Sequence, residues 1–357
     1  MEHEKTTDNK KFPCKNCGAF LTFEPGADSL KCQYCGEMNE IEIDENFEVI
    51  EEDFEAMLAE LSQNSENQIT VHQIKCDSCG ALSTLPENVT SADCPFCGSV
   101  VVLSNEAMTN ILKPKYLIPF KISEKLGRES FKKWVKKLFW APRSIKTKSS
   151  IEKLTGVYIP YWTYDSQTET SYRGERGDNY TVTVTRNGKN VTETRIRWTY
   201  VSGHVSHFFD DVLIAASNSL PKTLSKKLIN WNYDELVPFK EDFLSGFRTE
   251  IYQTGLEEGF GEAKLIMNDV IKTLIKQDIG GDHQRIRSSN SSFNDITFKH
   301  ILLPIWISSY RYKNKRYNIL INGQNGNISG TYPKSFWKIF FTVLIIVGAI
   351  ALLIYYS

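Results

Sequence analysis

CKNCGA at residues 14–19 and CQYCG at 32–36 return as CDSCGA at 76–81 and CPFCG at 94–98, displaced by a constant 62 residues. All eight cysteines lie in these four turns, Cys14, Cys17, Cys32 and Cys35 answering to Cys76, Cys79, Cys94 and Cys97, with Thr22 and Thr84 also in register. Each set reads C-x2-C-G-A, twelve residues, C-x2-C-G, so the chain carries two copies of one small module. A C-x2-C pair puts two thiolates on one tight turn, and the glycine after it (Gly18, Gly36, Gly80, Gly98) lets backbone amides fold back toward sulfur. Two such turns close a tetrahedron around one zinc ion. An all-thiolate shell leaves no position for water or substrate, so the expected cofactor is two structural Zn²⁺ ions. Metal binding worth on the order of 10–16 kcal/mol can fold a module of about 25–30 residues that has almost no core of its own. A disulfide framework is the competing reading, but Met1 to Lys11 is charged and has no apolar run, so no secretory leader is expected. A redox C-x-x-C would come singly with a βαβ pattern rather than as two matched sets.

At the far end, Ile339 to Tyr356 reads IFFTVLIIVGAIALLIYY, uncharged and apolar on every side. Its eighteen residues span roughly 27 Å as a helix, close to the hydrocarbon thickness of a bilayer. A buried core helix would need polar residues on some face. Lys334 and Lys338 precede the run, and Trp337 and the Tyr355-Tyr356 pair stand where interfacial aromatics belong. The expectation is a single-pass anchor in the cell membrane with the N-terminal bulk cytoplasmic, where thiolates stay reduced. Five N-x-S/T sequons, at Asn88, Asn179, Asn190, Asn290 and Asn327, are coincidental on this topology.

The net charge of −1 conceals two opposite halves. Residues 1–105 carry six Lys/Arg against twenty Asp/Glu, and residues 106–357 carry 36 against 23. Between the modules, Glu37 to Glu66 holds twelve acidic residues and no Lys or Arg. Ile50, Phe54, Met57, Leu58 and Leu61 recur there at helical spacing, a short acidic helix over 49–62 that is either a solvated linker or a docking element. Residues 113–153 reverse the sign, with thirteen Lys/Arg against three Glu. In that stretch Phe131, Trp134, Val135, Leu138 and Phe139 line one helical face and Lys132, Lys133, Lys136 and Lys137 the other. This basic helix, over about 129–140, either lies on anionic lipid or buries its apolar stripe in a domain. The acidic helix and the first half also have the charge to dock on its lysine face.

From Gly156 the pattern mixes strand and helix. GVYIPYWTYD (156–165) reads as a strand broken at Pro160, and 180–186 with 191–200 as a hairpin about Asn187-Gly188. A long helix is expected over Leu256–Lys276, with Phe260, Ala263, Met267, Val270, Ile271 and Leu274 on one face, and ILLPIWISSYRY (301–312) pairs with RYNILIN (316–322). The fold class is α+β: zinc ribbon 1 at 1–40, an acidic linker helix at 41–70, zinc ribbon 2 at 71–105, a basic domain at 106–333 and a transmembrane anchor at 334–357.

Catalytic signatures are missing: there is no G-x4-G-K-[ST] loop, no G-x-S-x-G elbow and no H-E-x-x-H. His204, His207, Asp210 and Asp211 form a tight polar cluster that reads as a strand-end loop or as a third metal or hydrolytic site. Gly280-Gly281-Asp282-His283 reads as a turn.

The two ribbons, GVYIPYWTYD, Gly281-Asp282, LLPIW at 302–306 and NGQNG at 322–326 together resemble a family of bacterial two-ribbon, C-terminally anchored proteins. Its members carry names such as TFIIB-type zinc ribbon-containing protein, primosomal protein N′ or replication-restart helicase. The family's last run is usually NGQTG, from which Asn325 departs. The resemblance implies a membrane-tethered zinc-ribbon protein that partners flotillin-type or phage-shock-type membrane proteins. A helicase would need a phosphate loop and an acidic Mg²⁺ motif, which these residues lack. The expected function is therefore a non-enzymatic adaptor that gathers protein partners at the bilayer. The alternative is nucleic-acid binding through the ribbons or the 113–153 stretch, where only the latter has the charge to neutralise phosphate.

Overall fold

The computed structural model describes residues 12–44, 47–62, 68–83, 91–94, 96, 99–102, 106–143, 145, 154–228, 230–313 and 315–356. In chain order the strands are β1 (Leu21–Phe23), β2 (Ser29–Cys32), β3 (Met38–Glu40), β4 (Glu52–Asp53), β5 (Gln68–Lys75), β6 (Leu82–Ser83), β7 (Ser91–Asp93), β8 (Val100–Val102), β9 (Glu106–Leu112), β10 (Tyr116–Leu117), β11 (Thr155–Arg186), β12 (Lys189–Ala215), β13 (Val237–Pro238), β14 (Arg248–Thr249), β15 (His283–Tyr312), β16 (Lys315–Asn322) and β17 (Ile328–Gly330). The helices are α1 (Phe54–Leu61), α2 (Glu124–Lys137), α3 (Lys222–Ser225), α4 (Leu256–Ile279) and α5 (Phe336–Tyr356). The mixed α and β content matches the expected class, with sheet dominant.

Three long antiparallel strands make the frame: β12, β11 and β15, of 27, 32 and 30 residues, lie side by side in a nine-stranded sheet. The hairpin expected at Asn187-Gly188 is there, both residues at positive φ (51° and 73°) as a type I′ turn requires. It is far longer than the local pattern indicated, because β11 continues unbroken from Thr155 through Pro160. The strand tolerates this proline for a geometric reason. The N–H and C=O of one strand residue point to the same side, and the Pro160 carbonyl accepts from Ala216 N just beyond the end of β12. The missing donor thus faces the end of a strand, while the pairing of Pro160 with Leu302 on the other side is kept. Pro304 repeats the device, its carbonyl taking Gly323 N beyond the end of β16.

Side-chain alternation then sorts the core. Val157, Ile159, Tyr161, Ile301, Leu303 and Ile305 share one cluster with Cys76, Cys94 and Phe96 of the second module. Tyr158, Leu302 and Trp306 share another with Cys14, Leu21, Phe23 and Cys32 of the first module and with Phe131 and Val135 of α2. Both faces of the sheet are covered here, which is why GVYIPYWTY is a continuous apolar run rather than an alternating one. Further along the strands, α4 lays Phe260, Ala263, Met267, Ile271 and Ile275 against Trp162, Tyr164 and Phe298. It ends at Gly280, in the expected turn with Gly281, both at positive φ.

Both charged segments pack on the body, which corrects the linker reading of the acidic one and selects the domain-helix reading of the basic one. The acidic segment is no free linker: Glu52 and Asp53 pair with Phe298 and Thr297 on β15, Asp53 caps α1, and Phe54 and Met57 are buried in the α4 cluster. It docks there, on Phe260, and not on the Lys132–Lys137 face. The apolar stripe of α2 is committed to the core at Phe131 and Val135, 3% and 1% exposed, while Phe139 beyond its end is 65% exposed. The boundary expected at 105/106 falls inside a strand pair, since β5 runs antiparallel to β9 from Gln68–Leu112 to Ile74–Glu106.

Candidate metal centre

The turns at Cys14, Cys32 and Cys76 are built alike down to single hydrogen bonds, and the described part of the turn at Cys94 shares one of them. Gly18 N donates to Cys14 O at 2.9 Å, Gly36 N to Cys32 O at 3.0 Å and Gly80 N to Cys76 O at 2.7 Å. In return Cys14, Cys32, Cys76 and Cys94 donate their amides to the carbonyls of Ala19, Glu37, Ala81 and Ser99, five residues on, at 2.7–2.9 Å. Closing so tight a loop requires positive φ at the glycine, and Gly18, Gly36 and Gly80 sit at 72°, 78° and 75°.

In the first module these turns bring four sulfurs together. Cys14 Sγ lies 3.6 Å from Cys35 Sγ, Cys17 Sγ lies 3.5 Å from Cys32 Sγ, and all four fall within 4.8 Å of one another. A disulfide would hold two sulfurs at about 2.0 Å, whereas the edge of a tetrahedron with metal–sulfur bonds of about 2.3 Å is about 3.8 Å. The donor set therefore fits a metal ion. Cys14 and Cys32 are buried and Cys17 and Cys35 exposed, so one thiol of each turn is rooted in the core. The Cys35 amide aimed at the Cys32 sulfur, helped by that of Tyr34, outweighs burial and draws the Cys32 thiol down to about 6, toward the thiolate a metal takes.

The second module repeats the pattern with Cys76 and Cys94 buried, Cys79 exposed, and Cys79 Sγ at 3.6 Å from Cys94 Sγ. These three sulfurs also lie within 4.8 Å of one another. Cys97, the fourth expected ligand, lies outside the described residues.

The HVSHFFDD cluster is not one site. It is strand, not loop, and consecutive residues of β12 alternate faces. His204 is on the exposed face with Ser171 and meets the Glu169 carboxylate, which it holds below the usual carboxylate range. His207 is half-buried on the other face, edge-on to Phe209. Asp211, at φ 51°, donates its amide to Asp165, where both neighbouring strands slip register around β11.

Asp165 belongs to a charged cluster that the sequence reading did not single out. The buried Lys299 ammonium lies 2.8 Å from Glu51, 2.8 Å from Asp211 and 3.5 Å from Asp165. Burial and the hydrogen bond shared with Glu51 push the Asp165 carboxyl up, and against the cost of burial that same bond and Lys299 hold Glu51 down. Glu51, Asp165 and Asp210 bring carboxylate oxygens within 4.8 Å, yet Lys299 already supplies the cation. A lysine inside the apolar run ITFKHILLP was the signal available in the sequence. Glu250, 2% exposed, had no such signal: burial raises it to about 8 while Ser219 donates to it.

The described residues thus carry cysteine turns docked on a sheet and, after it, an apolar helix. Among described residues α5 is the one helix long and apolar enough to cross a membrane, 21 residues with none of its apolar window buried. No family model and no solved structure matches the chain. It is similar to the uncharacterized protein YdjG of Bacillus subtilis (strain 168), 28% identical over 337 residues that cover 92% of this chain and 91% of that one.

Proposed function

We propose that this chain is a non-enzymatic adaptor, held in the cell membrane by α5, whose two cysteine modules are structural zinc ribbons on a cytoplasmic body that gathers protein partners. The observation that carries the reading is the closed geometry of the first module: four thiols at tetrahedral spacing leave a zinc ion no open position for substrate. The charged groups of the body support it, because Lys299 is engaged by Glu51, Asp165 and Asp211, and His204 by Glu169. Lys334 and Lys338 before the apolar helix favour a cytoplasmic body. Through the family resemblance, flotillin-type or phage-shock-type membrane proteins are the partners to look for first.

The test is crosslinking in intact membranes followed by capture of the full chain with its metal retained, beside a Cys14→Ser/Cys76→Ser variant. The adaptor reading expects a defined set of membrane proteins that the variant loses. Capture of nucleic acid instead, released steeply as salt rises, would favour the phosphate-binding alternative. An identical protein set for wild type and variant would remove the ribbons from the function.

A further inference from the structure

The end of α2 and the start of α5 are one joint. Ser335 N donates to Trp140 O at 2.8 Å, and Lys338 Nζ donates to Phe139 O at 2.9 Å and Ala141 O at 2.8 Å. Trp134 of α2 meets Tyr332 edge-on, 6.0 Å between ring centroids. The residues turned outward around this joint are of two kinds. Phe139, Phe336 and Trp337 are 65%, 72% and 65% exposed, large apolar rings left in solvent beside the first turn of α5. Lys132, Lys133, Lys136 and Lys137 are exposed on the last two turns of α2. The acids of that helix are Glu124, which is bonded to Arg128, and Glu129, two turns before the joint.

Resting on the reading of α5 as a membrane anchor, we propose that this collar is a binding surface for the acidic phospholipid headgroups of the leaflet that α5 enters. The geometry brings both kinds of residue to the base of the anchor. Hydrogen bonds fix Phe139 and Trp140 at the level of Ser335 and Lys338, where the apolar helix begins, and aromatic rings at that level sit among headgroups. The lysines of α2 follow within two turns and meet the negative surface potential of the leaflet. Because Phe131 and Val135 are buried in the body, α2 does not sink its apolar stripe into lipid. It presents lysine ammonium groups and a terminal aromatic pair instead. Charge complementarity and continuity with the anchor both select a lipid surface as the occupant.

The test uses the full chain reconstituted into vesicles of phosphatidylcholine, alone or mixed with phosphatidylglycerol, with brominated acyl chains as a tryptophan quencher. Trp140→Phe and Trp337→Phe separate the contributions of the two rings. With phosphatidylglycerol present, each substitution should remove a distinct share of the quenching. The share due to Trp140 should be lost in the K132Q/K133Q/K136Q/K137Q variant and at high salt, while the share due to Trp337 stays. Unchanged metal content and near-ultraviolet circular dichroism establish that the variant is folded.

If Trp337 is quenched and Trp140 is not, the anchor stands and the collar is refuted. If neither is quenched, the anchor reading itself fails. Equal quenching of Trp140 with and without phosphatidylglycerol would overturn headgroup recognition. A variant that keeps its lipid contact but loses retention of duplex DNA would make the lysine face a nucleic-acid surface instead.

Discussion

The first and second cysteine modules share their spacing residue for residue, yet they sit on opposite faces of one sheet and are fastened there differently. The first is clamped by side chains and single bonds: Phe23 packs edge-on against Phe243, Phe23 N donates to Ser245 O, and Gly26 N to Phe120 O. The second is closed on itself by the β5–β9 strand pair, in a small sheet of its own, and is fastened through Cys76, Cys94 and Phe96 in the core cluster of Leu220 and Leu224 and by Ile251 N donating to Leu82 O. A cysteine turn is local and repeats wherever its residues repeat. Where it docks is decided by residues a hundred or more positions away.

The largest effect should come from the metal. Wild-type protein is expected to hold two zinc ions by elemental analysis, and Cys14→Ser or Cys94→Ser to hold one. Each loss forfeits metal-coupled folding on the order of 10–16 kcal/mol in its own module. Hydrogen exchange should rise over 12–41 in the first variant and over 68–112 in the second. Cys97→Ser should match Cys94→Ser. Loss of both ions from a single substitution would show that the modules are one cooperative unit and dissolve the contrast.

Next is the clamp itself. Phe23→Ala should cost about 3–5 kcal/mol and loosen the first module alone, since Phe23 is buried against Phe243 and Phe247. Thermal melting in detergent with exchange mapping checks it, and equal loosening of 68–112 would contradict the separate attachment.

A pH dependence should mark the face that carries the second module, where Ile251 N donates to Leu82 O and the adjacent Glu250 is buried. Its folded value of about 8 stands above the ordinary 4.5, so the folded state holds the extra proton. That contribution is whole below pH 4.5 and is lost as pH rises to about 8. Stability should fall by a few kcal/mol across this range, and Glu250→Gln should flatten the curve. Melting between about pH 6 and pH 9, where the thiolate sites keep their metal, reads it, and an unchanged slope in the variant would point to another group.

The smallest effect is a single hydrogen bond. Ser245 Oγ donates to Leu21 O at 2.6 Å, and Ser245→Ala should cost about 1 kcal/mol, visible as faster exchange near β1 and β2 only.

Legibility in the sequence followed the range of the interaction. The cysteine turns, the Asn187-Gly188 reversal and the apolar run of α5 were read correctly because each is specified within a few turns of chain, and the α4 stripe was right at Phe260, Ala263, Met267 and Ile271, while Val270 is exposed and Ile275 and Ile279 are buried instead. Pro160 was misread as a break because its cost depends on which neighbour its missing N–H faces, and that neighbour is Ala216. His204 and His207 looked like one site on a line of text, and strand alternation parts them.

By itself, then, the sequence determined the two thiol knots and the membrane-length helix, since backbone sterics, ligand spacing and residue-by-residue hydropathy act locally. Only the tertiary structure decided that the knots lie on opposite faces and that the acidic segment carrying Glu51 closes over Lys299. It alone joined the lysine helix α2 to the base of α5. Those outcomes depend on strand register between segments more than a hundred residues apart, and register is set by pairing and by which face is buried, neither of which a single segment contains.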